Sequence, residues 1–190
     1  MAELVIAALM TAVVTYGMSA TTKLRSGQAY RAFSAGLAAT ALVSRRLTGP
    51  LAAALAGAEA AVAGLCATAL TMTFLSRQGA LAGPALTVAA LAAAAALTAV
   101  LTAGVAVAVR RGVTAPCACF GSGGRASLGG VHLARNAYLL AVLATGVASA
   151  GLHRWQPGLA AAGLAAAAGG VSALLLTRLD DVAALFRAAR

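Results

Sequence analysis

The chain has 190 residues, of which 62% are hydrophobic and only 9% charged, with a mean hydropathy of +0.92. That leaves too few polar side chains to cover a water-soluble globule, so the composition excludes a soluble enzyme and points to lipid as the solvent. The formal net charge of +10 is not a nucleic-acid footprint, because the basic residues sit between apolar runs and form no continuous face; no nucleic-acid partner is expected.

Five stretches carry almost no charge: Leu4 to Thr22, Pro50 to Leu75, Leu81 to Val109, Val131 to Leu152 and Pro157 to Leu176. Crossing roughly 30 Å of hydrocarbon takes about 20 helical residues, which each of these supplies. The runs are continuous rather than alternating, which predicts helices and not barrel strands. The expected fold class is therefore all-α, a polytopic membrane helical bundle, with residues 1–190 forming a single integral membrane domain. The first run begins Met-Ala-Glu, without the basic n-region of a secretory signal, and is expected to remain as a helix of the mature protein.

Between the first two spans, residues 28–46 read QAYRAFSAGLAATALVSRR. Tyr30, Phe33, Leu37 and Leu42 recur close to helical spacing, and arginines stand at both ends. This predicts a helix lying in the membrane interface after the first span. Within the second span, Glu59 places a carboxylate deep in an apolar run. Intramembrane charges are costly, so a partner is expected for it, with Lys23, Arg135 and His132 the candidates; its task is either a proton relay or quinone contact, or a pair locking two helices. Cys66, in GLCATAL, reads as a small buried hydrophobe.

The third connection, from Arg110 to Gly130, is the longest polar and glycine-rich one, and it holds Cys117 and Cys119, two of the three cysteines. A disulfide across one intervening residue closes a very small ring and is strained, which makes it labile and oxidising rather than a staple. Arg110, Arg111 and Arg125 flank the pair and the next helix starts just beyond it, all of which favours thiolate. Redox exchange, a Cu(I) clasp and an inert pair are the three readings; zinc would want four ligands, and only His132 is near in sequence. His132, Arg135 and Asn136 share a helical face at the end of the fourth span nearest the cysteines, where they are suited either to hold a thiolate or a quinone carbonyl, or to anchor and cap the helix. In the fifth span, residues 158–173 are rich in Gly and Ala, which either permits close helix approach or reflects codon bias. Trp155, before that span, suits an aromatic belt.

The motif Arg-Gly-x-x-x-Pro-Cys-x-Cys-Phe-Gly, followed by a glycine-containing spacer and Ala-Arg-Asn, resembles the MauE family of methylamine-utilisation clusters, related to DoxX. The matching residues are Pro116, Cys117, Cys119, Phe120, Gly121, Arg135 and Asn136. Weaker matches are Thr22-Lys23-Leu24 at the end of the first helix and Glu59 in the second, and the resemblance runs from about Leu4 to Leu152. It implies a four-helix core similar to vitamin K epoxide reductase-like proteins, here with a fifth C-terminal span. It further implies Cys117 and Cys119 as the redox pair and a thioredoxin-like, MauD-like partner. The implied electron sink is a membrane quinone, menaquinone or ubiquinone, beside Glu59, His132, Arg135, Asn136, Phe120 and Lys23, with no metal. A non-catalytic maturation factor or scaffold and a Cu(I)-handling protein remain alternatives.

Lys and Arg number five in the first connection, one in the second, three in the third, one in the fourth and three in the tail. The positive-inside rule then puts the first and third connections on the cytoplasmic side. Oxidative work in the sense of the resemblance belongs outside the cytoplasm, where disulfides persist, so these two expectations conflict over the face that carries Cys117 and Cys119.

Overall fold

The computed structural model describes residues 1–75, 84–113, 129–152 and 157–188. Among them the chain forms six helices and no strand: α1 (Ala2–Leu24), α2 (Gly27–Ala39), α3 (Arg45–Leu75), α4 (Pro84–Arg110), α5 (Gly130–Leu152) and α6 (Leu159–Ala188). All but α2 are long and apolar enough to cross a membrane. This is the polytopic helical bundle that composition predicts, and the physical cause is the same: in hydrocarbon a backbone satisfies its polar groups by helical bonding within the segment.

The first connection is organised differently from its sequence. The helix in it stops at Ala39, and Arg45 and Arg46, expected at its end, instead open α3 five residues ahead of Pro50. The break comes from the backbone, since Thr40 closes α2 and Ala41 takes a left-handed φ of 51° that no helix continues through. Pro50 is tolerated in the second turn of α3, where it removes a single helical bond. At the other end of α2, the Ser26 hydroxyl accepts from the Ala29 N–H at 3.1 Å, an N-cap that satisfies one of the first-turn donors. Tyr30 donates to the Gly49 carbonyl at 3.2 Å and ties α2 to α3.

Helix α1 is the axis of the bundle and packs against all five other helices, most extensively α3 and α6. Its buried face, Val5, Ala8, Leu9, Ala12 and Tyr16, meets Val62, Cys66 and Ala69 of α3, Ala90, Leu91 and Ala94 of α4, and Leu139 and Leu143 of α5. The small-residue run of α6 does bring helices close. A methyl group on Gly169 would sit 2.4 Å from the Ala7 carbonyl oxygen, and the Thr11 hydroxyl reaches across to the Gly169 carbonyl at 3.1 Å. The same closeness recurs where Gly146 of α5 faces Ala8 and Leu91.

Candidate functional site

One end of the bundle gathers the C-terminal turns of α1 and α4, the N-terminal turns of α3 and α5, the middle of α6 at Leu176, and α2. A cavity of about 330 Å³ lies there, lined by residues of all six helices. Its walls are mostly apolar: Leu37 of α2, Leu51 and Leu55 of α3, and Leu101 and Val105 of α4. Helices α2 and α4 both line it without packing on each other.

The polar part of the lining is built on α1. Thr15, Ser19 and Lys23 are spaced i, i+4 and i+8, so they stack on one face, and Tyr16 stands beside them. Lys23 and Glu59 form an ion pair at 2.5 Å with each side chain only 3% exposed. The Lys23 ammonium donates to both Glu59 carboxylate oxygens and to the Ser19 hydroxyl at 3.0 Å, while that hydroxyl donates to Glu59 Oε2 at 3.1 Å. Phe33 of α2 lays its ring over the ammonium, 4.6 Å from the centroid. A buried charge survives only when it is paired and hydrogen-bonded, and Lys23 has both provisions along with a cation–π contact. Deeper in the bundle the Tyr16 hydroxyl donates to the Ala94 carbonyl at 2.8 Å and lies 2.5 Å from Thr98 Oγ1.

Of the residues singled out in sequence, Lys23, Glu59, Arg135 and Asn136 come together around this cavity. Among the three candidate partners of Glu59, the ion pair is with Lys23. Arg135 and Asn136 are buried on α5; His132, one turn earlier, is buried too but does not line the cavity. Cys117, Cys119, Phe120 and Trp155 lie outside the described residues; by connectivity, the segment carrying the cysteines joins the C-terminus of α4 to the N-terminus of α5, the two ends that border this cavity. Arg110 and Arg111, at that end of α4, are exposed. Cys66 is buried in the core with its Sγ 3.7 Å from the Ala90 carbonyl, a packing position. Thr15, Tyr16, Ser19, Phe33 and Thr98 were missed by sequence reasoning. The helical spacing of Thr15, Ser19 and Lys23 in an apolar span was a usable signal for three of the polar positions; Phe33 was legible only as part of the apolar face of the interfacial helix, and Thr98 gave no signal.

The arrangement can hold an amphipathic ring. Arg135 and Asn136 are donors at one pole, beside the paired charge of Lys23, and the leucines and valines accept an apolar substituent, the usual make-up of a small-molecule site. Among the described residues, no group of three or more His, Cys, Asp or Glu side chains is placed to bind a metal.

A family model described as methylamine utilisation protein MauE matches residues 1–152, which is everything through the end of α5. No curated protein matches the chain, and no solved structure does. The matched part contains nearly the whole cavity lining, Leu176 of α6 being the exception, and four of the five helices of spanning length. With five such helices and a match over this much of its length, the protein is a multi-pass integral membrane protein, and the chain belongs to the MauE family.

Proposed function

We propose that the protein is a membrane thiol-disulfide oxidoreductase working within methylamine utilisation. In this reading Cys117 and Cys119 exchange a disulfide with a thioredoxin-like partner of MauD type, and the cavity beside Lys23 and Glu59 takes the ring of a membrane quinone. The observation that carries the reading is the coincidence, at the end of the bundle where the cysteine connection joins α4 to α5, of an apolar cavity with a buried, hydrogen-bonded ion pair. A structural ion pair alone needs no cavity, and a lipid groove alone needs no buried charges.

The donors fit the group. A quinone presents carbonyl oxygens, and the Asn136 amide and the Arg135 guanidinium donate, beside a Lys23 ammonium whose three N–H bonds go to Glu59 and Ser19. The apolar walls suit an isoprenoid tail. When bound, the quinone accepts two electrons and two protons, the number that two thiols release on closing to a disulfide. On the protein side, a thiolate of the partner attacks the Cys117–Cys119 bond, which breaks as a mixed disulfide forms and one cysteine leaves as thiolate. The partner's second thiol then displaces the remaining cysteine, so the partner ends oxidised and Cys117 and Cys119 end as a dithiol. Arg110 and Arg111, six to nine residues ahead of the pair in sequence, favour the leaving thiolate. Lys23 and Glu59 place an ion pair at the cavity, and Ser19 holds its geometry.

The test uses the full chain in lipid discs with a reduced thioredoxin-like protein and a decyl-tailed benzoquinone. Oxidation of the partner accompanied by equimolar quinol is expected, and Cys117→Ser and Cys119→Ser each abolish it. Unaltered oxidation in both variants refutes the reading. A wild-type protein that binds the partner with no turnover favours the scaffold, and stoichiometric copper in the purified protein favours Cu(I) handling.

A further inference from the structure

The cavity has a polar and an apolar side. Its charged and amide groups, Lys23, Glu59, Arg135 and Asn136, stand on α1, α3 and α5. What α2 and α4 contribute is mainly apolar, Leu37, Val100, Leu101 and Val105 among it, and their two hydroxyls, Thr40 and Thr98, donate to the Leu37 and Ala94 carbonyls behind them. The apolar side is also the one that packing does not close. Helix α2 rests on α1 and α3, α4 rests on α1, α3 and α5, and among the described residues the two do not touch each other. Val100 lines the cavity and is nonetheless 63% exposed, ten residues inside the end of α4, in the stretch that spans the membrane. At that depth exposure is to hydrocarbon, so this wall of the cavity is continuous with the lipid.

Gly104 stands in the middle of that wall. It lies one helical turn from Val100 and Leu101 on one side and from Ala108 on the other, all of which line the cavity, so a side chain here would share their face. A methyl group placed on it would meet nothing within 4 Å, unlike at Gly146 and Gly169, where a methyl would strike a neighbouring helix. A glycine inside a helix costs stability relative to alanine, and here neither a close helix nor a left-handed turn calls for one. What it provides is room in the cavity. We propose that the chain of a bound ligand leaves the cavity for the lipid between α2 and α4, passing over Gly104, while its ring is held among the polar groups of α1, α3 and α5. This rests on the quinone reading above and narrows the substrate class to quinones with a hydrocarbon tail, which reach the site from within the membrane, and it makes Gly104 the residue that admits the tail.

Binding is measured on the full chain in lipid discs with two benzoquinones of the same ring, one carrying a decyl tail and the other a methyl group in its place. Each variant is compared with the wild type probe by probe, so that partition of the tail into the bilayer cancels. Gly104→Leu is expected to weaken the decyl probe about tenfold and Gly104→Ala about two- to threefold, the scale of an overpacked contact, while the methyl probe stays within about twofold of wild type in both. Gly64→Leu, which adds the same side chain at an open position of α3 outside the cavity, is expected to change neither. The ligand-free Gly104→Ala protein is expected to melt at the wild-type temperature or above, because the added methyl meets nothing and alanine is the better helix former. Unchanged decyl affinity in Gly104→Leu, with the wild type binding, overturns the route and leaves the quinone reading standing. Equal weakening of both probes overturns it by placing the ring, not the chain, against α4. A loss in Gly64→Leu as large as in Gly104→Leu, or a lower melting temperature of ligand-free Gly104→Ala, overturns it by showing an effect on the bundle. A wild type that binds neither probe overturns both.

Discussion

Neutralising Glu59 isolates the energetics on which the site depends. In Glu59→Gln the side chain keeps its shape and one acceptor, but the Lys23 ammonium loses its counter-charge while remaining 97% buried, held by Ser19 and the Phe33 ring. Breaking a buried pair from one side costs about 3–5 kcal/mol, because the remaining charge stays desolvated. At about 2–4 °C per kcal/mol for a chain of this size, the melting temperature should fall by about 6–20 °C. The double variant Lys23→Met/Glu59→Leu removes both charges and should recover most of that loss, since neither needs solvation. Cys66 supplies the assay. It is fully buried, so in a Cys117→Ser/Cys119→Ser background a thiol-reactive fluorophore reports only unfolding. A Glu59→Gln protein that melts within about 1 °C of its parent, or a double variant no more stable than the single one, would refute the account of the pair.

Three further outcomes follow from the packing and the topology. Gly169→Ala should lower stability by about 1–3 kcal/mol, because its methyl meets the Ala7 backbone, whereas Gly163→Ala, with nothing within 4 Å, should stay within about 0.5 kcal/mol in the same melt. Tyr16→Phe removes the hydroxyl shared with Ala94 and Thr98 and should cost about 1 kcal/mol, a few degrees, with no larger effect because Thr98 retains its own bond to Ala94. An impermeant thiol reagent should leave Cys117 and Cys119 unmodified in intact cells and modify them in inverted vesicles, as the distribution of basic residues requires; labelling in intact cells would instead favour the outward face that the family resemblance implies.

Much of this molecule was legible before any tertiary contact was known. Spans, helical class and membrane residence follow from local composition, because a backbone in hydrocarbon has no alternative to bonding within its own segment. The amphipathic helix after α1 could also be read from spacing, although its end could not. The stop at Ala39 depends on the left-handed turn at Ala41, while the residues on either side of it form helices equally well.

The site divides along the same line. That Glu59 needs a partner follows from its place in an apolar run, a statement about solvation of one residue. Which of three cations it takes depends on the rotation of α1 against α3, 36 residues apart in sequence, and only the packed bundle puts Lys23 there with Ser19 and Phe33 around it. The unbonded hydroxyl of Thr15 is of the same kind: nothing in the sequence separates it from Thr11 four residues earlier, which bonds Ala7 and Gly169. Solvent preference acts on each segment alone and is written in its composition, whereas pairing and cavity shape arise between segments and come into being only when the helices meet.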